Sequence, residues 1–208
     1  MKKLLENLLE EKAPGPYLSF SIFHLIKALE LIAKEGPIGR GKLSQELKTG
    51  KGATRTLIER LKNAGLTTVS MRGCSLTDEG ENVWSKMQLL FPQKVKLKPN
   101  KLALATCNVA IRVRGCGGKV RSGLEQRDAA LLAGAKGAIT LLYKEEKLVL
   151  PAISEDVAKD FPDAFSEITK HLLLEENDVI VVGSADNWDK AEYGALAAAW
   201  SLIENDGG

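Results

Sequence analysis

Basic side chains are concentrated in one stretch of this sequence. Between Pro37 and Ser75, eight lysines and arginines stand against only two acidic residues. Such an excess supplies the counter-charge for a polyanionic backbone, because each neutralised phosphate releases condensed counterions and so favours binding. The eight basic residues are Arg40, Lys42, Lys48, Lys51, Arg55, Arg60, Lys62 and Arg72.

The net charge of +2 conceals a division along the 208 residues. Residues 1–100 hold 17 Lys and Arg against 10 Asp and Glu, whereas residues 101–208 hold 12 against 17. We therefore expect only the first part of the chain to meet a polyanion. A hydrophobic fraction of 44% and a charged fraction of 27% are ordinary for a globular protein, and the length allows one or two domains.

The segment 51–64 is the predicted helix that positions the central basic residues. Its apolar residues fall on one side of the helix: Leu57, Ile58, Leu61 and Ala64. Another arc carries the basic and polar residues Lys51, Arg55, Thr56 and Lys62, together with the acidic Glu59. A helix that reads a DNA major groove needs this division, with one face on the domain core and one polar, basic face outward.

The neighbouring elements are two helices before this segment, and a hairpin and a helix after it. They are predicted over residues 19–35, 40–48, 66–76 and 77–90, while Pro14-Gly15-Pro16 separates a short N-terminal helix from them. The order helix, helix, turn, helix, hairpin, helix predicts a winged helix-turn-helix domain. Arg72 lies at the predicted hairpin tip, where it could reach a phosphate or the minor groove.

Double-stranded DNA is accordingly the predicted partner, and the predicted fold class is α+β. The predicted DNA-binding residues are Arg40, Lys42, Lys51, Arg55, Thr56, Lys62 and Arg72. The alternative is a basic solvated face in a winged helix that binds protein, since such domains also serve as interaction modules.

Two motifs carry a resemblance to a known group. The run Thr54–Leu66, followed by Leu76-Thr-Asp-Glu-Gly80, resembles the recognition helix, wing and next helix of bacterial and archaeal winged-helix regulators. In that group a Leu-x-x-x-Gly-Leu pattern leads into the wing, and Leu-Thr-x-x-Gly starts the following helix. The resemblance implies the fold of this part of the chain and leaves the operator sequence open.

The remainder of the chain is predicted to form a second domain. Residues 91–100 read as an edge strand or a linker, so we place the boundary there, with domains over 1–92 and 93–208. A β-α-β-β-α-β-α series follows and predicts a small α+β domain with an antiparallel or mixed sheet and helices on one face. Its strands are expected over 102–113, 138–144, 147–151 and 178–183, and its helices over 125–135, 162–173 and 188–203.

Four arginines in this acidic domain predict a site for a small anionic effector. They are Arg112, Arg114, Arg121 and Arg127, and glycines lie among them. Guanidinium groups fork onto carboxylate or phosphate, and glycine lets the backbone approach closely. Alternatively, these arginines line a dimer contact or pair with the domain's own acids, namely Glu125, Asp128, Asp186 and Glu192.

A second resemblance spans the chain from about residue 17 onward. The runs Arg121–Ala130, Val182–Asp186 and Glu192–Trp200 resemble archaeal two-domain proteins that join a winged helix to a C-terminal domain of unknown function. This implies a regulator, and a second domain similar to the small α+β insert of some aminoacyl-tRNA synthetases. The latter likeness leaves open an alternative function, a protein- or RNA-associated module linked to translation.

Other chemistry has little support in the sequence. Cys74, Cys107 and Cys116 lack disulfide or metal-site spacing, and no nucleophile–histidine–acid set can be read at short range. We therefore expect reduced cysteines, no metal, no cofactor and no enzyme activity. Apolar runs are too short to span a membrane, so a cytoplasmic protein is expected. Half-site symmetry further predicts a homodimer, joined through the second domain or the N-terminal helix.

Overall fold

The computed structural model describes residues 1–10, 18–103 and 105–204, and the predicted break at Pro14-Gly15-Pro16 lies outside them. The chain divides into two compact units, residues 1–87 and 88–204. The first unit consists of helices and one hairpin, while the second is built on a sheet. The α+β class predicted from the sequence is thus confirmed.

The first unit follows the predicted order of elements. Its helices are α1 Lys2–Asn7, α2 Ile22–Glu35, α3 Arg40–Leu47, α4 Lys51–Asn63 and α5 Asp78–Leu90. The antiparallel strands β1 Thr67–Ser70 and β2 Gly73–Leu76 form the hairpin between α4 and α5. We call the hairpin, residues 67–76, the wing.

The end of α4 explains the Leu61-x-x-x-Gly65-Leu66 pattern. The Leu66 N–H donates to the Leu61 carbonyl at 3.0 Å, and the Gly65 N–H donates to the Lys62 carbonyl at 2.9 Å. Gly65 has a φ of 73°, a left-handed conformation that glycine adopts without steric cost. These bonds form a Schellman motif, which satisfies the last carbonyls of the helix and turns the chain into β1.

The start of α5 explains the Leu76-Thr77-x-x-Gly80 pattern. The Thr77 hydroxyl donates to the Gly65 carbonyl at 2.5 Å and accepts from the Gly80 N–H at 3.1 Å. The helix lies so close to the wing that a Cβ at Gly80 would stand 2.0 Å from the Leu66 carbonyl oxygen. Thr77 therefore caps α5, and Gly80 lets α5 pack on the backbone that joins α4 to the wing.

The wing is also tied to the loop before α3. Ile38 and Cys74 exchange two backbone hydrogen bonds, of 3.0 Å and 2.9 Å, in an antiparallel bridge. The bridge brings the chains so close that a Cβ at Gly73 would lie 2.6 Å from the Ile38 carbonyl oxygen. The wing is therefore held at two places, at its base by α5 and nearer its tip by the Ile38 loop.

The second unit contains a five-stranded antiparallel sheet in the order β3-β4-β7-β5-β6. Its strands are β3 Gln93–Leu97, β4 Cys107–Val113, β5 Gly137–Lys144, β6 Lys147–Val149 and β7 Val179–Ala185. The helices are α6 Leu124–Leu132, α7 Val157–Asp160, α8 Pro162–His171 and α9 Trp188–Ser201, with a short 3-10 turn at Gly117–Lys119. The segment that read as edge strand or linker is the edge strand β3.

Helices cover both faces of this sheet, in contrast to the predicted single face. Ala110 and Val182 are register neighbours and share one apolar core with Ile168 of α8. On the opposite face a Cβ at Gly183 would stand 2.5 Å from the Ala191 carbonyl oxygen of α9. The physical reason lies in the strands, because all seven residues of β7 are buried and so both of its faces need a cover.

Strand β3 is fixed to α9 by its two lysines. Lys94 Nζ lies 2.5 Å from Glu192 Oε1, and Lys96 Nζ lies 4.5 Å from the centroid of the Trp188 ring. The lysines that alternate with Val95 and Leu97 in the sequence thus mark the strand face that meets α9, while Leu97 joins the core on the other side.

We expect Gly80→Ala to lower the free energy of unfolding by about 1–3 kcal/mol, because the new methyl group must displace the Leu66 backbone. Urea denaturation of the full chain measures the change. Gly41→Ala on α3 is the matched control, since nothing lies within 4 Å of its Cβ position. That control should be neutral or stabilising by up to about 1 kcal/mol, and an equal loss in both variants would contradict the close packing at Gly80.

The N-terminus of α2 predicts a dependence of stability on pH. The Ser21 N–H donates to His24 Nδ1 at 3.0 Å in a capping box, and burial, with Lys27 nearby, lowers the pKa of His24 below its ordinary value of 6.5. The unfolded chain therefore binds this proton more readily. Neutral His24 therefore contributes to the free energy of unfolding above pH 6.5. This contribution is lost as the pH falls below 6.5.

Urea denaturation at pH 7.5 and 5.5 tests this expectation, with His24→Gln as control because glutamine can keep the cap but does not titrate. The wild-type chain should lose more stability between the two pH values than the variant. Equal losses would show that His24 does not titrate in this range.

Candidate nucleic-acid interface

A groove of about 540 Å³ separates α4 from the wing. One wall is the outer side of α4, the other is the wing, and the start of α3 closes one end. The α4 wall holds Arg55, Ile58, Glu59 and Lys62, the wing wall runs from Val69 to Cys74, and the end holds Gly39 and Arg40. The groove thus combines three separate parts of the first unit.

The exposed side of α4 is basic, in agreement with the sequence pattern. At about 100° per residue, Lys51, Arg55 and Lys62 lie within about 40° of one another around the helix, and all three are exposed. A separate side of the helix is packed into the unit, with Leu57 and Leu61 fully buried. The apolar side therefore orients the helix so that its cationic side faces solvent.

The predicted DNA-binding residues differ in their position relative to the groove. Four of them, Arg40, Arg55, Lys62 and Arg72, line the groove. Lys51 extends the same side of α4 toward its N-terminus. Lys42 and Thr56 do not line the groove: Lys42 Nζ lies 2.5 Å from Glu35 Oε2, and the Thr56 hydroxyl donates to the Gly52 carbonyl at 3.3 Å. The hydrogen bond to Glu35 raises the pKa of Lys42.

Arg55 has an acidic partner one turn along the helix. Its Nε lies 3.0 Å from Glu59 Oε1, and both side chains are more than half exposed. Exposed pairs of this kind contribute about 0.2–1 kcal/mol, so a stronger partner can replace Glu59 at small cost. Arg55 is therefore available to a polyanion although it is paired in the isolated chain.

Arg60 has a structural role that the charge count could not reveal. Its Nη1 donates to the Leu8 carbonyl and, at 2.9 Å, to the Glu10 carbonyl. The guanidinium thus satisfies carbonyls that follow α1 and holds this segment on α4. Arg60 belongs to the stretch of eight basic residues, but its charge is directed away from the groove.

The turn between α3 and α4 is fixed by hydroxyl groups that sequence reasoning did not single out. Ser44 Oγ donates to the Thr49 carbonyl at 2.7 Å, and the Thr49 and Thr54 hydroxyl oxygens lie 2.8 Å apart. Thr54 is fully buried, and Lys48 takes a left-handed conformation with a φ of 52°. The sequence signal that could have identified these hydrogen bonds is Thr54, a hydroxyl residue on the apolar side of α4 that follows the Thr49-Gly50 turn.

Sequence reasoning also missed the apolar part of the wing wall. Val69 is 50% exposed and Met71 is fully exposed, and both line the groove. The two residues are two positions apart, with Val69 in β1 and Met71 in the turn that follows it. That spacing was readable from the sequence, but their exposure was not.

Arg112 belongs to a buried ion pair in the second unit. Its Nε lies 2.6 Å from Asp178 Oδ2, and the two residues are 3% and 1% exposed. Glu175 Oε2 lies 3.0 Å from Arg112 Nη2 and 3.3 Å from Arg114 Nη2. Arg112, with a smaller effect from Arg114, lowers the pKa of Glu175. Asp178 also accepts from the Gly115 N–H, so the pair fixes this end of the sheet.

The four arginines of the predicted effector site have different surroundings. Arg127 Nη2 lies 2.9 Å from Asp128 Oδ1, and Arg121 is exposed before α6. The alternative of pairing with the domain's own acids fits Arg127, but Arg112 and Arg114 pair with acids other than the predicted ones.

The remaining candidate features are the cysteines, possible metal ligands and apolar helices. Cys74, Cys107 and Cys116 are free, and burial raises the pKa of the Cys74 and Cys116 thiols. Among the described residues there is no group of three histidine, cysteine or acidic side chains that could hold a metal ion. No helix of the described ranges is long and apolar enough to cross a membrane.

Comparisons with known proteins agree with the division into two units. Residues 23–91 match the family model of the CggR N-terminal DNA binding domain, and these residues contain the whole groove. The match indicates a DNA-binding regulator. Residues 104–202 match a family described only as a domain of unknown function.

A solved structure supports the fold of the chain. A hypothetical protein of Pyrococcus horikoshii OT3 is similar with a TM-score of 0.69 and 24% sequence identity, over 88% of this chain and 93% of that one. No curated protein matches the chain. The archaeal origin and the likeness to a synthetase insert domain stay predictions.

We expect Arg112→Met to lower the free energy of unfolding by about 3–5 kcal/mol, because Asp178 would be left buried without its cation. Arg121→Ala should change it by less than about 0.5 kcal/mol, since that side chain is exposed. Urea denaturation of both variants measures the contrast. A tolerated Arg112→Met would show that this arginine is not needed for folding and would reopen its assignment to a ligand site.

Proposed function

We propose that this protein is a transcription regulator that binds double-stranded DNA through its first unit in the manner of a winged helix. In this proposal α4 enters the major groove, the wing lies on the adjacent minor groove, and the phosphate backbone between them passes through the groove of the protein. The observation that carries the proposal is the groove itself, with Arg40, Arg55 and Lys62 along it and Arg72 on the wing.

The dimensions and polarity of α4 suit this role. A helix about 10–12 Å wide fits the major groove, which is about 12 Å across. Its N-cap residue, Gly50, has no side chain to cap the first turn, so the backbone N–H groups and the positive end of the helix dipole are available to phosphate oxygens. We assign Lys51 to a phosphate near this end and Lys62 to the backbone in the groove.

Arg55 and Glu59 are the side chains best placed for base edges. Arginine forms two hydrogen bonds to guanine, and glutamate accepts from the cytosine amino group. Their mutual pairing at 3.0 Å brings both functions to one position on the exposed side of α4. In this assignment Glu59, which reduces the positive charge of the helix, contributes to the choice of sequence.

The finer parts of the proposal concern assembly and location. Helix-turn-helix regulators bind two half-sites as two-fold dimers. We therefore propose a homodimer in the cytoplasm, where its DNA would be. The acidic second unit then provides dimer contacts or the site of a small effector. Arg121 is exposed and has no ion pair with a described residue, so its neighbourhood is the first place to look for an anion.

A salt titration of duplex binding tests the proposal. The logarithm of the affinity should fall linearly with the logarithm of the salt concentration. The Arg55→Ala/Lys62→Ala double variant should bind about 100-fold more weakly, with a slope reduced by about one for each lost phosphate contact. Fluorescence anisotropy on labelled genomic fragments measures both quantities.

Lys34→Ala is the matched control, because it removes one positive charge from the same unit at a residue that pairs with Glu30 and does not line the groove. It should leave the affinity within about twofold. Undetectable binding to every duplex at low salt would refute the proposal. Retention on RNA with none on DNA would instead support the alternative function linked to translation.

A further inference from the structure

The tip of the wing presents an apolar side chain to solvent. Met71 is fully exposed, at 107% of its reference area, and occupies the two-residue turn together with Arg72. Single exposed apolar residues are common and need no explanation by themselves. Met71 differs because it continues an apolar line that begins in the core of the unit.

That line follows one face of the wing. Cys74 is buried and is the register partner of Val69, which is half exposed, and Met71 follows two residues after Val69, in the turn. All three line the groove on the wall that faces the basic side of α4. The wing wall therefore carries an apolar line beside Arg72, and this line ends in a fully exposed side chain.

The turn that carries Met71 is held by its own hydrogen bonds. Ser70 Oγ accepts from the Arg72 N–H at 3.2 Å and donates to the Gly73 carbonyl at 3.4 Å. Neither Met71 nor Arg72 has a positive φ, whereas Gly73 does. Because the Ile38 bridge holds the wing at Cys74, two residues from Arg72, the tip is a supported projection.

We propose that Met71 enters a base step of the DNA minor groove as an apolar wedge and bends the duplex. This inference rests on the proposed function and assigns the wing a role in shape recognition. An apolar side chain beside arginine is the combination that minor-groove proteins use, because the cation is drawn to the groove and the wedge unstacks neighbouring base pairs. Methionine suits the task because its unbranched side chain adapts to an irregular gap.

A preference for particular base steps follows. Pyrimidine–purine steps unstack at the lowest cost, so the wing should select such a step beside the sequence that α4 reads. The preference arises from deformation of the DNA, and it is therefore separable from the hydrogen bonds of Arg55 and Glu59.

The experiment uses duplexes that the wild-type chain selects from a library of random sequence. Energy transfer between dyes at the two ends of a selected duplex measures bending. Wild type should bend it by about 20–90°, and Met71→Ala should bind about tenfold more weakly with the bend lost and the salt slope unchanged. In a repeated selection, Met71→Ala should lose the flexible step and keep the positions read by α4.

Two matched variants separate the wedge from the charge. Met71→Leu retains an apolar wedge and should retain the bend, whereas Arg72→Ala should reduce the salt slope by about one and leave the bend in place. An unbent wild-type complex, or equal bending by Met71→Ala, would overturn the inference while the proposed function stands. Failure of the wild-type chain to bind any duplex would overturn both.

Discussion

The candidate interface depends on the backbone pair between Ile38 and Cys74. These two hydrogen bonds join the wing to the loop before α3, and α3 in turn sets α4 through the Ser44–Thr49–Thr54 contacts. The distance between the wing and α4 is thereby fixed by backbone and hydroxyl hydrogen bonds. Gly73 and Gly80 are needed because both joints bring backbone against backbone, at distances that leave no room for a side chain.

Arginine has two different roles in this chain. Arg55 and Arg72 are exposed, and their charge remains available, whereas Arg60 donates to backbone carbonyls and Arg112 to a buried carboxylate. A stretch rich in arginine therefore indicates a polyanion partner only as far as the side chains stay in solvent. In the first unit most of them do; in the second, three of the four predicted site arginines pair with acids.

Local patterns predicted the elements well because their causes are local. The Schellman stop at Gly65 and the cap at Thr77 each arise within six residues, so Leu61-x-x-x-Gly65 and Leu76-Thr-x-x-Gly80 were readable from the sequence. The long-range arrangement was less accessible. The helices on both faces of the sheet follow from the burial of every β7 residue. Alternation of apolar and polar residues does not assign such a fully buried strand to one covered face or to two. The partner of Arg112 lies 66 residues away, beyond any spacing argument.

The sheet of the second unit has two edges of different character. Strand β6 is only three residues long, and β3 carries lysines engaged with Glu192 and Trp188 of the neighbouring helix. Short strands and lysine-bearing edges both disfavour the addition of a foreign strand. Pairing of two copies through this unit is therefore expected to favour helix surfaces, which associate by side-chain packing and can shift by small rotations. A continuous intermolecular sheet would lock the subunits in one register and would leave no such freedom.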